Sequence, residues 1–173
     1  MNYKFELLSN ENAYEYAYVN STAWLETYPG LIDQEFLESL VTEEALKEFE
    51  EKLKGYIIND PNIFYLLRVD NKPVGIVHVR KTKFVGYEEY GELGAIYLLN
   101  EFKRKGYGKI LFEKAKEELK KMGYTKMING CINGNPSNEF YKHMGGKYIM
   151  SVPFIVKKTG QILRENVYIY DSI

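Results

Sequence analysis

Cysteine is nearly missing from this chain of 173 residues: Cys131 stands alone, so neither an internal disulfide nor a cysteine metal cage can form. Histidine is almost as scarce, with only His78 and His143, which leaves too few ligands for a zinc site and sets the expectation of no metal. An excess of charge of one sign is lacking too. Lys and Arg number 23 against 24 Asp and Glu, a net charge of -1, so bulk electrostatics draw in neither nucleic acid nor an anionic membrane. No run approaches the ~18 apolar residues of a membrane span. The opening MNYKFELLSNENAYEY is too broken by charge for a secretory signal, and a cytoplasmic protein is the expectation. With 45% apolar and 27% charged residues the chain has an ordinary globular make-up. Its length suits one domain, residues 1–173, with a core of its own.

What is present is a change of period along the chain. YKFELL (3–8) alternates as an opening strand, and residues 11–27 and 33–40 carry helical spacing interrupted by the YPG turn at 28–30. A third helix, 42–56, starts at Thr42 with acidic residues in its first turn. Period two then takes over in NIFYLLRV (62–69) and PVGIVHVRKT (73–82), which flank the hairpin-type turn at Asp70 and Asn71. ELGAIYLL (92–99) is apolar on both faces after Glu92, as a central strand should be. Leu111, Ala115, Leu119 and Met122 share one face of a helix over 107–122, stopped by Gly123. A strand (124–132), a short helix (136–144) and two strands (147–156, 162–170) complete a mixed α/β order.

KRKGYGK (103–109) lies where the central strand gives way to a helix. It is not a Walker A loop, because Ile110 follows Gly108-Lys109 where Ser or Thr is needed. It is not a dinucleotide fingerprint either, because Leu111 occupies the third glycine position. What remains is an anion-binding turn at a helix N-terminus, where free N–H groups and the helix dipole face the ligand. Gly106 and Gly108 allow close approach of the backbone, and Lys103, Arg104, Lys105 and Lys109 add charge. An exposed basic helix start with a turn glycine is the alternative.

The stretch IYLLNEFKRKGYGKILFEKA resembles motif A of the GNAT acetyltransferases, with Lys103 at the position usually held by Arg or Gln and the glycines at Gly106 and Gly108. Downstream, NPSNEFYKHMGGKYI resembles the family's motif B through Asn135, Phe140, Tyr141, Gly145 and Gly146. The two motifs, in order and one helix and one strand apart, cover roughly residues 92–147. The resemblance implies the GNAT acyl-CoA N-acyltransferase fold, a mixed and mostly antiparallel sheet flanked by helices with a splayed parallel pair at its centre. It implies acetyl-CoA as co-substrate, its diphosphate held by residues 103–109, Tyr107 included, and its pantetheine arm along the backbone of Leu98 and Leu99. Asn135, and less directly Asn138, would hold a pantetheine amide, although an Asn-Pro turn also explains Asn135 structurally.

An alkyl amine with a pKa of ~10.4 is neutral in only about one molecule in 10³ at pH 7, so acetyl transfer calls for a base. In the resembled family that position falls on Glu92, whose other reading is a structural glutamate at a strand edge. Tyr141 matches the tyrosine that protonates the departing thiolate in many members. The acceptor pocket implied by the family nominates Trp24 and Tyr28, together with Tyr90 and Tyr97. The acidic set Glu88, Glu89 and Glu92 would favour a cationic acceptor. Cys131 reads as a core residue. The expected function is transfer of the acetyl group to a primary amine of a small molecule or peptide. The alternative is a coenzyme A sensor of the same fold, without turnover. Members of this fold often pair through late strands, which makes a homodimer an expectation.

Overall fold

A computed structural model describes residues 2–59 and 63–173. Among them, seven strands form one sheet in the order β1-β2-β3-β4-β5-β7-β6. They are β1 (Tyr3–Leu7), β2 (Ile63–Val69), β3 (Lys72–Lys81), β4 (Gly91–Leu98), β5 (Met127–Ile132), β6 (Lys147–Val156) and β7 (Gln161–Tyr170). Every neighbouring pair is antiparallel except β4 and β5, which run parallel. The helices are α1 (Ala13–Thr27), α2 (Gln34–Ser39), α3 (Glu43–Asn59), α4 (Tyr107–Lys121) and α5 (Ser137–His143). The expected start of the second strand at Asn62 lies outside the described residues.

Sheet and helices meet in two main cores. Leu111, Phe112, Ala115 and Leu119 of α4 pack with Val77, Val79, Leu93 and Met127 on one face. On the other face Tyr16, Ala17 and Val19 of α1 and Leu53 of α3 pack with Phe64, Leu66 and Ile76. Two covered faces require strands apolar on both sides, which is why β3 and β4 lack clean alternation. The β2–β3 turn has Asp70 and Asn71 at φ 49° and 66°, the left-handed pair that a tight two-residue hairpin needs. Most bounds agree with the sequence pattern to within two residues, and two differ by three. β5 begins at Met127 rather than 124, because the Tyr124 N–H still bonds the Leu119 carbonyl and closes the end of α4. α3 runs to Asn59, past the expected Tyr56, whose ring stacks on Phe64 at 5.6 Å.

His78 of β3 also stacks on Phe64, at 4.1 Å and 8° between planes. Burial, with the Arg80 charge second, pushes its imidazole down to about 3. The unfolded imidazole titrates at ~6.5, so between those values the unfolded chain takes up a proton that the folded chain refuses. Stability therefore falls as the pH drops through this window, by up to about 1.4 kcal/mol per pH unit from this group. His78→Phe keeps the stack and removes the titration. Urea unfolding at pH 7, 6 and 5 should show a shallower loss of stability in the variant than in the wild type.

Candidate active site

β4 and β5 pair only at Gly91–Met127 and Glu92–Ile128. Beyond those residues the strands part, and the edge of β4 facing β5 has no strand to bond among the described residues. A cavity of about 780 Å³ fills the opening. Leu93 to Leu98 of β4 form one wall, and Gly130, Cys131 and Ile132 of β5, with Asn135, Phe140 and Tyr141, form the other. Trp24 and Tyr28 close one end, while Lys103, Arg104 and Gly108 reach the cavity from the start of α4.

The turn before α4 has the form of an anion cradle. Gly106 is its N-cap at φ 89°, a left-handed conformation that a side chain would strain, and a Cβ there would meet nothing within 4 Å. No side chain caps the helix, and its first backbone bond runs from the Ile110 N–H to the Gly106 carbonyl at 3.3 Å. The amides before Ile110 thus face the approach to the cavity at the positive end of a fifteen-residue helix. A diphosphate suits that arrangement. An extended arm suits the unpaired edge of β4, so the residues present fit coenzyme A.

The remaining expected contacts divide. Lys103 lines the cavity and its Nζ donates to Thr27 Oγ1 at 3.4 Å, with burial lowering its pKa. Lys105 and Lys109 are exposed and do not line the cavity, Lys105 resting over the Phe102 ring at 5.4 Å. Tyr107 turns into the core beneath α4, 2% exposed, so only its main chain is available to a phosphate. Leu98 lines the cavity. Leu99 does not: its N–H bonds the Val74 carbonyl at 2.9 Å and its carbonyl accepts from Phe102 at 2.9 Å. Asn138 is likewise spent inside the fold. It donates to the carbonyls of Ile132 and Asn135 and accepts from Tyr168 and Asn166. Asn135 does line the cavity, donating to the Tyr28 hydroxyl at 3.4 Å, and that hydroxyl also bonds Tyr97 at 3.0 Å.

Tyr141 lines the cavity from α5, and burial holds its phenol well above 10. Cys131 lines it too, its thiol pushed up to about 12 by burial and then by the Glu165 charge, so it remains a protonated thiol at neutral pH. Glu92 is 2% exposed. Its Oε1 accepts from Arg80 at 2.7 Å and its Oε2 from the Lys83 N–H at 2.7 Å, and it does not line the cavity. Glu88 caps the Gly86 N–H and Glu89 pairs with Lys126, so the acidic set expected to face an acceptor points elsewhere. Tyr90 bonds Asp171 within a separate apolar cluster. Besides Lys103 and Arg104, the charged residues that line the cavity are Glu26, Arg80, Lys83 and Glu165. No motif marks these residues. Glu165 and Lys83 lie 82 positions apart and meet only through the sheet order.

Residues 22–145 match the family model described as the acetyltransferase (GNAT) family. An uncharacterised N-acetyltransferase of Bacillus subtilis (strain 168), YuaI, is 33% identical over 134 residues, covering 76% of this chain and 73% of the relative. Among solved structures, the PaiA N-acetyltransferase of Thermoplasma acidophilum in complex with coenzyme A superposes with a TM-score of 0.68 at 20% identity. That match covers 96% of this chain and 98% of the other. A GCN5-related N-acetyltransferase of Rhodopseudomonas palustris superposes with a TM-score of 0.74 at 13% identity, covering 100% and 97%.

Glu92→Gln removes the charge that Arg80 faces, where the Arg80 Nε is already buried with no partner among the described residues. Because the Arg80 side chain keeps 33% exposure, water recovers part of the loss. Urea unfolding at pH 7 should show a destabilisation of about 1–2 kcal/mol.

Proposed function

Because the chain belongs to the acetyltransferase (GNAT) family, we propose that it transfers the acetyl group of acetyl-CoA directly to a primary amine of a small molecule or peptide, with both substrates bound together. The observation that carries this reading is the cavity itself. It joins a helix N-terminus without a side-chain cap, an unpaired strand edge and a buried phenol in one continuous space.

In this reading the amides of residues 104–109 and the Lys103 and Arg104 side chains hold the diphosphate. The main chain near Leu98 holds the pantetheine arm and presents an N–H to the thioester oxygen as it becomes an oxyanion. The amine enters beside Trp24 and Tyr28, gives one proton to solvent water and attacks the carbonyl carbon in its neutral form. A carbon–nitrogen bond forms and the carbon–sulfur bond breaks. Tyr141 gives its phenolic proton to the departing thiolate and regains one from the amide nitrogen. Burial keeps that phenol protonated at neutral pH, as a general acid must be when the thiolate departs.

Glu92 is given a positioning role. With one oxygen on Arg80 and the other on the Lys83 N–H, it sets the connection that brings Lys83 to the cavity. Proton abstraction by Glu92 would first require Arg80 to release Oε1.

Thiol release from acetyl-CoA across a panel of primary amines tests the function. Turnover is expected with at least one of them. Silence across the panel with coenzyme A still tightly bound would favour a sensor of the same fold. Tyr141→Phe should lower kcat by about 10²-fold while leaving the dissociation constant of coenzyme A unchanged. An unchanged kcat would remove the phenol from the reaction.

A further inference from the structure

The cavity holds an ion pair that the transfer chemistry leaves unused. Glu165 of β7 is 8% exposed and lines the cavity. It has room there only because residue 130 of the adjoining β5 lacks a side chain, since a Cβ on Gly130 would lie 2.0 Å from Glu165 Oε1. Across the opening, Lys83 Nζ stands 3.1 Å and 3.4 Å from the two carboxylate oxygens. Lys83 follows the end of β3, lines the same cavity and keeps 44% side-chain exposure, so its flexible stem is free to swing outward. A primary alkylammonium is therefore already seated on this carboxylate. Withdrawing it would strand a mostly buried charge unless another cation took its place. Arg80 does not fill that role, because its own charge is met by Glu92.

A carboxylate beside an amine favours the charged form, and a protonated amine has no lone pair with which to attack a thioester. The nitrogen held at Glu165 is thus a different one from the nitrogen that is acetylated. We propose that Glu165 recognises the acceptor by binding, in exchange for the Lys83 ammonium, a second cationic amine, so that the preferred acceptors carry two amino groups, as alkane diamines do. This rests on the acetyl-transfer reading above. It adds the class of acceptor and the residue that selects it, and it makes the Gly130 cradle and Lys83 parts of that selection.

The test compares wild type, Glu165→Gln and Lys83→Met with butane-1,4-diamine and n-butylamine, after coenzyme A affinity and thermal unfolding have been measured for each. The ratio of kcat/KM for the diamine over the monoamine should exceed one in the wild type, fall by about tenfold or more in Glu165→Gln and rise in Lys83→Met. An unchanged ratio, or an equal loss for both amines, would overturn the assignment. Binding of butane-1,4-diamine to the coenzyme A complex, followed by NMR, reads the same site without turnover. It should weaken by about tenfold in Glu165→Gln and tighten in Lys83→Met. Should Glu165→Gln fail to fold, unchanged diamine affinity in Lys83→Met alone would overturn the proposal. Diamine binding that follows this pattern without acetyl transfer to any amine would overturn the transferase reading and leave the recognition site standing.

Discussion

Everything at the functional site depends on the parting of β4 from β5. Hydrogen bonding between adjacent strands is the default state of a sheet, and an unpaired backbone group shut away from water is expensive. Here two pairs of residues hold the strands together at one end, and beyond them each strand follows a different neighbour. β4 stays with β3, and β5 stays with β7. The register shift at His78 and Val79 bends the β3–β4 pair as it passes the opening. The exposed edge of β4 therefore keeps backbone groups open to water or to an extended ligand.

An opening of this kind would close or gape unless its walls were tied by something other than sheet bonds. Side chains do the tying. The hydroxyls of Tyr28 and Tyr97 bond each other, and Asn135 donates to Tyr28, so the end of α1, the middle of β4 and the approach to α5 share one chain of contacts. On the opposite side Glu92 anchors Arg80 and the Lys83 main chain, while the Lys83 side chain crosses to Glu165 on β7. The first set is neutral, with the Tyr28 and Tyr97 phenols held protonated by burial. The second is charged and one of its members is half exposed. The neutral side suits a fixed wall, and the charged side suits an entrance where one cation replaces another.

Much of the architecture was legible because it follows from local chemistry. The Asp70-Asn71 turn, the glycine before α4 and the apolar face of Leu111, Ala115 and Leu119 each have a short-range cause visible in a few consecutive residues. The boundary errors have local causes too, as at Tyr124, where the closing bond of α4 delays the next strand. Side-chain direction was less legible. Within KRKGYGK, Lys103 and Arg104 reach the cavity while Tyr107 enters the core and Lys105 and Lys109 face solvent. A motif records residue types and intervals. It does not record how a helix is rotated against the sheet beneath it.

The amino-acid sequence by itself determined the order of elements, the glycine turn at the start of α4 and the placing of an asparagine and a tyrosine around α5, because all of these rest on interactions between residues close along the chain. Only the tertiary structure decided which carboxylates face the cavity. Glu92, prominent at the head of the central strand, is enclosed by Arg80 and the Lys83 main chain, whereas Glu165, inconspicuous in a late strand, is turned into the opening by the absence of a side chain at Gly130. That outcome depends on β7 lying beside β5 in the sheet, a long-range pairing that no short stretch of residues encodes.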